Sequence, residues 1–203
     1  MPKQFSEQER RKIDARLLSV ARDLLAHRSA RKIVVEELTR AAGISKGSFY
    51  LFYPTKETLF YEVMRLEERT VQGPLIAALE SLDPPTPDAV AGILVRGLAM
   101  VDENPVFHRM LDPDEIERIG RNVPADYHDR HRSNDTGALA PVLTRWQAAG
   151  HLRGDPVEHL VGVIRAMYVL ALHRRELGED QFDATRETLV RTVVDGMFHG
   201  GHR

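Results

Sequence analysis

Apolar residues recur along this chain with the period of a helix. Ile13, Leu17, Val20, Leu24 and Leu25 share one helical face, while Arg10, Arg11, Arg16, Arg22 and Asp23 take the other. Ser6 and Glu9 form a capping box ahead of the run, and the helix is expected to end near residues 27–28. A second, short helix fits residues 34–42, with Val35, Leu38 and Ala42 inward. Gly43 stops it, being the residue most easily placed in the left-handed conformation, and Ile44 is a buried plug in the turn. Ser45 caps a third helix that runs to about Phe52, ahead of Pro54. Thr55 caps a fourth from Lys56 to about Gln72, which Gly73-Pro74 is expected to kink or break.

Further on, one device repeats. Thr86-Pro87, Asp112-Pro113 and Asp155-Pro156 each put a capping residue before a proline, which predicts helices starting near 87, 113 and 156. Helical patterns also cover roughly 124–149 and 182–198. No segment sustains strand alternation, and there is no internal repeat. The chain reads as all-α, with about nine or ten helices. A small three-helix head, residues 1–56, precedes a larger helical body, residues 57–203.

Composition narrows the function. Apolar residues make up 42% of the 203 and charged residues 29%, an ordinary globular balance. The absence of cysteine excludes disulfides, thiolate nucleophiles and cysteine-ligated metal centres. The longest apolar run, residues 160–172, contains Arg165 and is too short to span a bilayer. The polar N-terminus lacks a signal-peptide core, so the cytoplasm is the expected location. Charge is uneven. Residues 1–56 hold 12 Lys and Arg against 6 Asp and Glu, a balance of +6, whereas the remainder carries −8. A basic head on an acidic body suggests a polyanion partner for the head alone.

The second and third segments, joined at "AAGIS", have the form of a helix-turn-helix, whose second helix can enter the DNA major groove. Lys46 at the start of that helix can reach a phosphate or a guanine edge. Gly47 lets the backbone come close to DNA, and Ser48 is a short donor or acceptor. Phe49 should face inward; Tyr50 ends in a hydroxyl suited to phosphate, and Tyr53 is either core or a phosphate donor. Lys56 adds a charge at the start of the fourth helix. Residues 43–47 also match G-x-S-x-G, the nucleophile elbow of serine hydrolases. That chemistry needs a strand before the serine, and here a helix precedes it.

The stretch "VVEELTRAAGISKGSFYLFYPTKETLF", residues 34–60, resembles the DNA-binding segment of the TetR family of bacterial transcriptional repressors. The resemblance covers about residues 8–62 and implies a non-enzymatic regulator without cofactor, with DNA contacts from Thr39, Ser45, Lys46, Gly47, Ser48, Tyr50, Tyr53 and Lys56. Three positions depart from the family pattern. Val34 stands where Thr or Ser is common, Phe52 where histidine is common, and Ser29 where glycine is usual. The resemblance further implies a homodimer through helices near 156–177 and 182–198, a palindromic operator, and a small-molecule effector held in the body. Met100, Phe107, Met110, Trp146, Arg165, Met167 and Tyr168 are candidate pocket residues. The near-continuous apolarity of residues 160–172 independently suggests burial on more than one side. The competing reading is an all-α enzyme or metal-binding protein with an incidental basic head, for which His128 and His131, three residues apart, are the candidate ligands.

Overall fold

The computed structural model describes residues 5–110, 113–124, 137–171 and 178–198. They form ten α-helices: α1 Glu7–His27, α2 Val35–Ala42, α3 Lys46–Phe49, α4 Lys56–Glu80, α5 Pro87–Glu103, α6 Pro105–Met110, α7 Pro113–Arg121, α8 Ala140–Ala148, α9 Val157–Ala171 and α10 Phe182–Met197. Among the described residues the β-type pairing is a single isolated bridge, Leu152 to Phe198. The all-α expectation therefore holds.

Capping sets several boundaries. Ser6 Oγ accepts the Glu9 N–H at 3.3 Å, and the Glu9 carboxylate accepts the Ser6 N–H at 2.9 Å. Thr55 Oγ1 accepts the Thr58 N–H at 3.0 Å, and Thr86 Oγ1 accepts the Ala89 N–H at 3.3 Å.

Two expectations are corrected. Helix α4 does not end at Gly73-Pro74 but continues to Glu80. Proline removes one backbone hydrogen bond, and the burial of Val71, Leu75 and Leu79 on either side outweighs that loss. Helix α3 stops at Phe49, because the next amides turn back to carbonyls only three residues earlier: Leu51 N–H to Ser48 and Phe52 N–H to Phe49. Of the helical pattern over 124–149, residues 125–136 lie outside the described residues, and a helix is described over Ala140–Ala148. His128 and His131 lie outside the described residues.

The chain packs as two compact units. The first joins residues 1–69 with 104–128, the second 70–103 with 129–203. These packing units divide the chain differently from a boundary at residue 56. The reason is that Val106, Phe107, Ile119 and Val123 bury their side chains in the same cluster as Leu17, Leu38, Phe49 and Phe60. The second unit is built on Leu94, Leu98, Trp146, Phe182 and Val190, with α5 and α10 lying along each other.

One polar clamp in the first unit carries a prediction. Glu67 is 3% exposed and accepts from Arg22 on α1 and, at 2.6 Å, from the Asn104 amide. The Asn104 carbonyl in turn accepts the N–H groups of Val106 and Phe107 at the start of α6. Glu67→Ala would strip the acceptor from an arginine and an amide together. A loss of about 2–3 kcal/mol is expected in urea unfolding, with a smaller loss for Asn104→Ala.

Candidate nucleic-acid interface

The candidate surface is built by residues 28–53. After α1, Ser29 accepts the Arg31 N–H at 3.3 Å to start a single 3-10 turn, Ala30–Lys32, and donates its hydroxyl to Glu115 on α7. The serine found where glycine is usual thus anchors this segment. Arg28 forms a two-pronged pair with Glu37, at 2.8 and 3.2 Å, and also donates to the Lys32 carbonyl. Val34 offers no capping acceptor to α2. Its own N–H is instead accepted by the Glu37 carboxylate at 3.2 Å, which supplies half of a capping box from inside the helix. The hydrogen bond from Arg28 holds the Glu37 carboxyl below the usual carboxylate range.

The turn between α2 and α3 depends on Gly43, whose φ is 70°, a left-handed conformation that costs other residues about 1–2 kcal/mol. Ile44 beside it is half-buried rather than fully enclosed. Arg16 on α1 donates to the Ala42 carbonyl at 3.3 Å, placing a positive charge at the C-terminal end of α2. Ser45 then caps α3: its Oγ accepts the Ser48 N–H at 3.1 Å and lies 2.8 Å from the Ser48 hydroxyl. Phe49 on the inner side is completely buried, edge-on to Tyr50 at 5.4 Å and tilted against Tyr53 at 6.1 Å. Phe52, where the family often has histidine, is half-buried between the Phe5 ring, 5.8 Å away, and the Arg10 guanidinium, 5.1 Å away.

This arrangement sorts the expected DNA-contacting residues. Ser45, Lys46, Gly47 and Tyr50 are exposed together, with Ser48 partly exposed among them. Thr39 faces the core, and its hydroxyl donates to the Glu36 carbonyl at 3.2 Å. Tyr53 is 5% exposed and donates to Asp14 at 2.6 Å. Lys56 donates to the carbonyls of Ala30 and Ile33 at 3.0 and 2.6 Å. These last three therefore have work inside the head: Thr39 bonds within its own helix, Tyr53 reaches α1, and Lys56 ties the start of α4 to the segment before α2.

One member of the surface was not anticipated. Glu36, in the first turn of α2, accepts from Lys46 Nζ at 2.6 Å, and both side chains remain more than half exposed. The hydrogen bond lowers the Glu36 pKa and raises that of Lys46, so both stay charged. No short-range sequence signal marks the pair, because its members sit on different helices.

In the second unit, an apolar groove of about 320 Å³ runs between α4 and α5, lined by Pro74, Leu75, Ala78, Ile93, Gly97 and Met100, with Arg96 and Glu103 also present. Of the residues expected to line a pocket, Met100 does so. Trp146 and Met167 are buried in the core of this unit, and Arg165 is exposed. Tyr168 reaches under the groove: its hydroxyl lies 2.6 Å from where a side chain on Gly97 would begin. Burial pushes its pKa up to about 12. Phe107 belongs to the first unit, and the side chain of Met110 lies outside the described residues. Among the described residues, no group of three His, Asp or Glu is placed to hold a metal ion, and no helix is long and apolar enough to cross a membrane.

Comparison with known proteins bears directly on this surface. Residues 17–63 match the model for bacterial regulatory proteins of the tetR family. No curated protein sequence matches the chain. Solved structures share its fold at low identity. A TetR-family transcriptional regulator from Pectobacterium atrosepticum is 17% identical, with a TM-score of 0.71 over 98% of this chain and 100% of that one. One from Mesorhizobium loti is 13% identical, with a TM-score of 0.68 over 96% and 100%. RolR in complex with the ligand resorcinol is 20% identical, with a TM-score of 0.64 over 96% and 99%. Residues 17–63 thus carry the DNA-binding helix-turn-helix of the tetR family of bacterial regulatory proteins, in a chain whose fold is shared almost from end to end with solved TetR-family regulators.

Proposed function

We propose that the chain is a repressor that binds a palindromic operator as a homodimer and leaves it when a small molecule occupies the body. The observation that carries DNA binding is the exposed edge Ser45-Lys46-Gly47-Ser48, with Tyr50 beside it, presented by a turn locked at Gly43. Lys46 and Ser48 face base edges in this reading, and Tyr50 faces a phosphate.

Self-association is supported by the surface of α9. Gly162, Val163, Ala166 and Val169 form an exposed small and apolar stripe at helical spacing, and Val163 and Val169 are 41% and 49% exposed. On α10, Thr188, Thr192 and Gly196 are likewise exposed and uncharged. Two such helices meeting their symmetry mates would bury this stripe and pair two heads for a two-fold operator. The groove beside Met100 is near the lower size limit of small-ligand sites, and RolR binding resorcinol supports a small effector here. An effector would act through its preference for a body conformation that misplaces the heads, with a coupling of about 1–3 kcal/mol.

Selection of binding sites from a random duplex pool tests the reading. A dyad-symmetric sequence should be enriched, and its affinity should fall steeply with salt. Val163→Glu should give a monomer in sedimentation equilibrium and lose binding to the full palindrome. A dimeric Val163→Glu protein would show that α9 is not the interface.

A further inference from the structure

We infer that Glu36 and Lys46 act together as the reader of one G·C base pair in each half-site, which makes Glu36 a specificity-determining residue. The inference rests on the DNA-binding reading above and adds to it a residue and a base.

The pair joins the first turn of α2 to the start of α3, with Lys46 Nζ 2.6 Å from the Glu36 carboxylate. Their side chains are 56% and 53% exposed, so the pair lies on the open surface of the helix-turn-helix. An ammonium has three protons. One is used on Glu36, leaving two directed elsewhere. A carboxylate has about four acceptor sites, so accepting from Lys46 leaves capacity for another donor. The unit therefore presents a double donor directly beside an acceptor.

In the major groove the four base pairs differ in the order of their groups. A G·C pair shows N7 and O6 of guanine, two adjacent acceptors, followed by the N4 amino donor of cytosine. O6 and N4 are hydrogen-bonded to each other, so they lie about 2.9 Å apart. That matches the spacing of Lys46 Nζ and the Glu36 oxygen. Lys46 can donate to N7 and O6 while Glu36 accepts from N4. An A·T pair places the adenine amino group between its two acceptors and follows them with a methyl group, so the same unit meets a donor where it needs an acceptor. Electrostatics points the same way. A carboxylate on a DNA-facing surface repels phosphate and weakens binding to every sequence alike. Its presence is compensated where a base amino group meets it. Because each partner keeps the other charged, the unit holds its donor and acceptor character through the neutral pH range.

The test compares the full-length protein with Glu36→Ala and Lys46→Met. A preferred duplex is selected with the unaltered protein, and every position in one half-site is then replaced in turn in competition binding. The unaltered protein should prefer G·C at one position of each half-site. Glu36→Ala should reduce that preference by about tenfold or more, with the preferences at other positions changing less than about twofold and affinity rising for duplexes that lack the G·C pair. Lys46→Met should relax the same position and weaken binding overall. Thermal melts matching the unaltered protein would establish that both variants are folded, as expected for exposed side chains. If Glu36→Ala alters affinity equally at all positions, or if the position that relaxes prefers A·T, the assignment is wrong while DNA binding stands. Failure of the unaltered protein to enrich any duplex would overturn both readings.

Discussion

Replacing Phe49 with alanine is expected to destabilise the first packing unit by about 3–5 kcal/mol, the range found for deleting a buried aromatic ring. Phe49 is wholly excluded from solvent, and its ring meets both Tyr50 and Tyr53. Helix α3 has only four residues, too few to hold by its own hydrogen bonds, so the anchoring of that ring keeps it folded. A domain typically has about 5–15 kcal/mol in total. The variant should therefore show an early unfolding step by circular dichroism and a loss of DNA binding at temperatures where the rest of the chain is intact. Phe49→Leu should recover most of the stability. If Phe49→Ala melts like the unaltered protein, the packing of α3 has been misjudged.

Gly47→Leu, on the opposite side of the same helix, should behave in the reverse manner. Nothing in the protein requires glycine there: its φ is not positive, and an added Cβ would meet only Ser45 Oγ at 4.0 Å. Helix propensity favours leucine by several tenths of a kcal/mol, so thermal stability should hold or rise slightly. DNA affinity should fall by more than about tenfold, equivalent to ~1.4 kcal/mol, because the side chain occupies the space that a closely approaching duplex needs. Titration against the selected operator at fixed salt measures this. A Gly47→Leu protein of undiminished affinity would remove α3 from the interface. The two substitutions, two residues apart, thus separate holding the helix in place from using it.

What the sequence made legible was local. The Ser6–Glu9 box, the Gly43 stop and the Thr86-Pro87 start each depend on groups within four residues of one another, and each stands as expected. The less legible features depend on partners far along the chain. Whether Tyr53 points outward or inward is decided by Asp14, 39 positions away. Lys56 is taken up by carbonyls 23 and 26 positions earlier, and a lysine at a helix start carries no sign of that. Pro74 reads as a breaker by propensity alone, and burial of Leu75 and Leu79 overrides it. The cap that Val34 cannot give is only half made good: Glu37 accepts the Val34 N–H from within the helix, and the side-chain acceptor stays missing. Glu36 carries no sign of a second role in the sequence, because a carboxylate at a helix start is already explained by the helix dipole. Its second role becomes visible only when the turn brings Lys46 to it.

The burial of α6 and α7 side chains in the head's core bears on any attempt to excise the DNA-binding part. A fragment ending at residue 69 would keep the whole helix-turn-helix yet lose Val106, Phe107, Ile119 and Val123 from its apolar cluster, together with the Glu115 and Asn104 contacts. Such a piece would expose a greasy wound at the site of those side chains and should clump rather than bind DNA. The head is thus not a detachable cassette. Transplanting it onto another protein would require the stretch from Asn104 to Val123 to travel with it.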